Sequence, residues 1–100
     1  MAYSTDNPPK LVMSVPYTDG SSDLTWNLWI YIDGDATTTV DADGYFTNGQ
    51  SLGMKVNDLL ILVDTGTPLI STLRVTSVST SNDSVDMANG TTIGLNTDSD

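Results

Sequence analysis

Between residues 25 and 33 apolar and polar positions alternate with the two-residue period of a β-strand. Trp26, Leu28, Ile30 and Ile32 fall on one face and Thr25, Asn27, Trp29, Tyr31 and Asp33 on the other. The first face is uniformly apolar and is expected to point inward. The second turns from polar to aromatic at Trp29 and Tyr31, as it would on a second covered side or on a surface that meets another subunit. Residues 59–64 are apolar on both faces, which places that strand in the middle of a sheet.

The remaining strands are shorter or less regular. Leu11, Val12 and Met13 lie in a strand over residues 10–15 that Pro16 ends, and residues 17–23 read as a loop. Residues 34–44, rich in Asp and Thr, form a long loop with a strand-like Thr38, Thr39 and Val40. Tyr45 and Phe46 then precede a turn at Asn48-Gly49. Residues 52–58 make a compact turn from which Met54 and Val56 tuck inward, and Thr65-Gly66-Thr67-Pro68 turns the chain into a strand over residues 69–79. There Leu73 and Val75 share one face while Val78 has the opposite parity, so the pattern predicts a β-bulge near Thr76 or Ser77. Residues 84–88 and 91–95 flank Asn89-Gly90, the favoured two-residue hairpin dipeptide. That hairpin would bury Val85, Met87, Ile93 and Leu95.

About six short strands at this spacing predict an all-β fold, a small single-domain antiparallel sandwich or barrel. The β domain spans residues 11–95. Residues 1–10, stiffened by Asn7-Pro8-Pro9, are an extended N-terminal arm, and residues 96–100 are a polar C-terminal tail.

Composition narrows the chemistry. Apolar residues are 38% of the 100, and the abundant Ser and Thr favour strands and turns over helices. The formal charge of −10 comes from thirteen aspartates set against Lys10, Lys55 and Arg74, a balance that repels phosphate backbones and predicts no nucleic-acid partner. Cysteine is absent, which removes disulfides, zinc–thiolate sites and thiol nucleophiles and leaves the redox compartment open. The longest apolar run, residues 59–63, is too short to span a bilayer, so no membrane association is predicted and the chain is read as soluble and unprocessed.

Histidine and glutamate are missing as well, so the commonest movers of protons are gone. No catalytic residues and no cofactor are predicted, and the chain reads as a non-enzyme. The one candidate metal cluster is Asp33, Asp35, Asp41 and Asp43. It lacks the third ligand and the distant Glu of a calcium loop, and solvated turn carboxylates explain it as well. The sequons at Asn82 and Asn89 carry no weight, and Arg74 is read as one half of a surface ion pair.

Four strings, AYSTDNPPKLV, VDADGYFTNGQSLGMKVNDLLILVDT, LRVTSVS and NGTTIGLNTD, together resemble a group of small proteins encoded in the structural regions of tailed bacteriophages and prophages. The similarity spans nearly the whole chain and departs at residues 13–25. The resemblance implies a virion structural protein on the capsid exterior, of the capsid decoration (cement) or head-fibre type, with a tail or collar adaptor as a further possibility. It implies the major capsid protein or other virion proteins as partners, and it supplies no catalytic residues.

Protein contacts are expected from the arm, through Tyr3, Pro8 and Pro9, and from an aromatic patch of Trp29, Tyr31, Tyr45 and Phe46. A homo-oligomer, a trimer by analogy with shell symmetry, is the expected state. A different class of function is a glycan-binding module with Trp26, Trp29 or Tyr45 as stacking platform and calcium on the Asp loop. That reading needs Trp29 exposed in a groove.

Overall fold

A computed structural model describes residues 3–93. The order of elements is β1 (Lys10–Thr18), β2 (Asp23–Asp33), α1 (Thr37–Val40), α2 (Gly49–Leu52), β3 (Leu59–Asp64), β4 (Leu69–Val78), β5 (Val85–Met87) and β6 (Thr91–Ile93). The fold is mostly β, with six strands as the sequence predicts. They form one mixed sheet in the order β1-β2-β3-β4-β5, with β6 also on β4, in place of two stacked layers or a closed barrel.

The central pair β2–β3 is parallel, Leu28 opposite Leu59 and Ile32 opposite Val63, while the other pairs are antiparallel. Parallel neighbours require a crossover, and residues 34–58 supply it. This segment lays α1 and α2 over one face of the sheet, burying Val40, Phe46 and Met54. Thr38, Thr39 and Val40, strand-like by composition, therefore form a helical turn: the crossover must double back over the sheet, and the segment has no neighbouring strand to pair with. Val56 is exposed, whereas Met54 tucks inward as expected.

Only that covered face is a core. It comprises Trp29 and Tyr31 of β2, Leu60 and Leu62 of β3, Leu73 and Val75 of β4, Val85 and Met87 of β5, and the three crossover residues. The β2 pattern is thus inverted relative to the sequence expectation. Asn27, Trp29 and Tyr31 are buried, Trp26, Leu28 and Ile30 are half-buried, and Ile32 is 52% exposed.

In β4 the register shifts between Val75 and Ser77, the bulge that the parity of Val78 demands, and Val78 packs against the core. The expected Asn89-Gly90 hairpin does not form. β5 and β6 both pair antiparallel with β4, β5 along residues 75–78 and β6 along residues 70–72, so Asn89-Gly90 is a jog along one edge. A Cβ at Gly90 would stand 2.3 Å from Thr37 Cγ2, so any larger residue there would force Thr37 to shift. Ile93 is 52% exposed, and Leu95 and the tail lie outside the described residues.

β1 runs through Pro16 to Thr18, an outer-strand position where a missing N–H costs no ladder bond. Since β3 meets β2 only from Leu28 onward, the part of the β1–β2 hairpin beyond it is a two-stranded ribbon, and every residue from 10 to 25 is exposed. Its tip is organised by Asp19, whose carboxylate accepts from the backbone N–H of Ser21 and of Ser22, 2.9 Å each. Those bonds hold the Asp19 carboxyl below its ordinary pKa.

Candidate functional site

The arm does not extend from the domain. Asn7 N donates to Ser4 O in a turn, and Asn7 Nδ2 donates to Ile32 O (2.9 Å) at the end of β2. Tyr3 packs on the core and donates its hydroxyl to Asn48 Oδ1 at 2.7 Å. Pro9 is buried and Pro8 half-buried. The arm is corrected to a fold-back segment: the two prolines set its direction, and an aromatic pocket on the body captures Tyr3.

That pocket is the expected contact patch, turned inside. Tyr3, Tyr31, Tyr45 and Phe46 form one cluster with ring centroids 4.9–6.1 Å apart, mostly edge to face. Tyr31 is 1% exposed, Phe46 0% and Trp29 4%, so none of the three is a surface residue. The physical reason is size. Burying each aromatic contributes roughly 1.5–3 kcal/mol, which a core of eleven buried apolar side chains cannot forgo.

Polar handles on these rings are satisfied by buried carboxylates. Asp58, 1% exposed, accepts from Asn27 N, Asn27 Nδ2, Trp29 Nε1 and Lys55 N at 3.0–3.2 Å. Tyr45 donates to Asp35 Oδ2 at 2.7 Å, and the Tyr31 hydroxyl stands 2.8 Å from that of Tyr45, so Tyr31 donates to Tyr45. The Tyr45 bond draws the Asp35 carboxyl below its ordinary pKa against the opposing effect of burial. Burial first, then the bonds to Asp35 and Tyr31, push Tyr45 far above the usual phenol range.

The four candidate metal ligands are not brought together. Asp33 accepts from Asp35 N and Asn7 Nδ2, Asp35 is engaged by Tyr45, Asp41 accepts from Gly90 N, and Asp43 is exposed. Among the described residues no three acidic side chains converge as metal ligands. Arg74 donates to Asn57 Oδ1 at 3.0 Å, a neutral partner.

A cleft of about 660 Å3 opens at the base of the hairpin, lined by Leu11, Trp29, Leu52, Met54, Val56 and Val78 with Ser14, Thr25, Asn27 and Lys55 among its polar groups. Lys55 is its single charged lining residue, and its Nζ donates to Thr25 Oγ1. Asp58, just beneath, is already committed to four donors. The cleft can hold an apolar group, but it pairs no base with a nucleophile.

The largest unassigned feature is the other side of the sheet. By register, Met13, Val15, Tyr17, Leu24, Trp26, Leu28, Ile30 and Ile32 share a face with Leu59, Ile61 and Val63 of β3, and with Ile70 and Ile93 farther across. Nothing in the described residues covers it: Tyr17 is 51% exposed, Ile70 45% and Ile93 52%. Sequence reasoning missed this face because an unbroken apolar stripe ordinarily signals a core. The available signal was that Asn27 and Trp29 carry polar groups that a buried acid could satisfy, but Asp58 is 31 residues from Asn27 in sequence. No family model, curated protein or solved structure matches the chain. No helix among the described residues is long and apolar enough to cross a membrane.

Proposed function

We propose that this protein is a non-enzymatic structural component of a bacteriophage virion, a decoration or cement protein on the outside of the head that acts through protein–protein contacts. The observation that carries a docking role is the uncovered sheet face, since monomeric proteins rarely leave contiguous apolar patches beyond a few hundred Å2 in water. The buried carboxylates Asp35 and Asp58 are committed to structural hydrogen bonds, which leaves little from which reactivity could be built.

The virion setting is supported by the resemblance of the four sequence strings. The charge of −10 suits an outer surface and suits a DNA-filled interior poorly. Binding only to assembled shells would stabilise them by mass action. Head-fibre and tail or collar roles rest on the same surface and differ in copy number. The glycan reading needs Trp29 exposed, and Trp29 is buried with its Nε1 bonded to Asp58, which leaves that reading the half-buried Trp26 and Tyr45.

Quantitative mass spectrometry of purified phage particles tests the proposal. Hundreds of copies per particle are expected for a head protein and a handful for a tail or collar part. Absence from particles overturns the virion role.

A further inference from the structure

We infer that the uncovered sheet face is the contact between two copies of this chain, each supplying one layer of a two-layer β-sandwich related by a two-fold axis. The inference rests on the reading of this face as a docking surface and names a second copy as its occupant, so that the contact with the shell falls on the remaining surface of the pair.

Area is the first argument. Seven apolar side chains of this face, from Met13 and Tyr17 on the hairpin to Ile32, Ile70 and Ile93 on the body, are 36–52% exposed, together several hundred Å2, the scale of the ~800 Å2 per partner of a standard-sized interface. The half-buried Leu28, Ile30 and Ile61 lie between them, so the apolar surface is continuous and not a scatter of single residues.

Charge is the second. The chain carries −10, yet the register puts Asp23, Asp33 and Asp64 on the opposite side of the sheet. The charges of the open face are Lys10, opposite Ile30, Arg74, opposite Leu59, and Asp86, opposite Ser77. Here two strongly acidic molecules can approach without bringing carboxylate against carboxylate. In an isologous contact residue i of one copy meets residue j of the other and j meets i, so a face that carries both signs can pair cation with carboxylate twice over. A strongly basic or acidic partner surface would find little to pair with.

Geometry is the third. Two twisted sheets pack face to face about 10 Å apart with aligned strands, and a flat-on contact of this kind pairs two layers and leaves no equivalent face for a third. The sandwich that the strand pattern predicts within one chain is thereby assigned to the pair.

Sedimentation of the purified chain over a micromolar concentration range is the test. Wild type is expected at twice the chain mass. Ile61→Asp is expected to be monomeric, with dimer affinity reduced at least 100-fold and with the near-ultraviolet signal of buried Trp29 retained. Should Ile61→Asp fail to fold, Thr72→Lys on the same face, whose long side chain can reach water, is expected to be a folded monomer. Thr38→Asp on the crossover is expected to remain a dimer. A wild-type monomer, a wild-type trimer, or a dimer unaffected by both face variants overturns the inference. A monomer that still occurs on phage particles overturns this pairing and leaves the virion role standing. A dimer absent from particles does the reverse.

Discussion

The indole Nε1 of Trp29 donates to the Oδ2 of Asp58 at 3.0 Å, and the same carboxylate takes the backbone and side-chain amides of Asn27. This bond joins β2 to the last residue of the crossover before β3, and it decides which face of β2 is inside. Without Asp58, burying Asn27 and Trp29 would strand three donors. With it, the polar–aromatic face packs and the uniformly apolar face is left over.

Asp58→Ala should therefore cost at least about 3 kcal/mol, since several buried donors lose their acceptor at roughly 1–3 kcal/mol each. Trp29→Phe, which removes one donor and keeps a ring, should cost about 1–2 kcal/mol. Urea unfolding of the two variants checks both the size and the order.

The Tyr45–Asp35 bond predicts an acid-side dependence. Asp35 has a lowered pKa in the fold, so its contribution to stability is present above the unfolded carboxylate value near 3.9 and is lost as pH falls through the lower folded value. Tyr45→Phe removes the donor, so its acid unfolding midpoint should move to higher pH than that of wild type, as followed by circular dichroism.

On the alkaline side the sign reverses. Burial raises the pKa of Tyr3, Tyr31 and Tyr45, so their contribution is intact below the unfolded value near 10 and is lost as pH rises through the raised folded values. Tyrosinate absorbance should show these three staying protonated beyond pH ~10 and then ionising together with unfolding.

Removing residues 1–9 should destabilise the domain itself. The deletion takes the half-buried Tyr3 out of the aromatic cluster and Asn7 away from the end of β2, a loss of roughly 1–3 kcal/mol, since a fully buried ring would contribute 1.5–3. A truncated chain as stable as wild type in thermal melts would return the segment to the role of a free arm.

Gly49→Ala should cost about 1–3 kcal/mol, because its Cβ would stand 2.6 Å from Val85 Cγ1 in a fully packed core. Adding Val85→Ala should recover part of that loss, and comparing thermal melts of the single and double variants checks it.

Local patterning determined much of this protein. The two-residue period placed β2, the two-sided apolar run made β3 central, and the parity of Val78 required the bulge in β4, because each follows from side chains a few positions apart. Which face of the sheet became the core was decided only in three dimensions. It depended on the crossover bringing Asp58 to Asn27 and Trp29, and Tyr45 to Asp35, across stretches no local period records. Asn89-Gly90 likewise had the composition of a hairpin, but β5 and β6 both pair with the edge of β4, a partner no local signal names. The apolar stripe of β2 was visible in the chain from the start; that it faces outward follows from a buried carboxylate having claimed the other side.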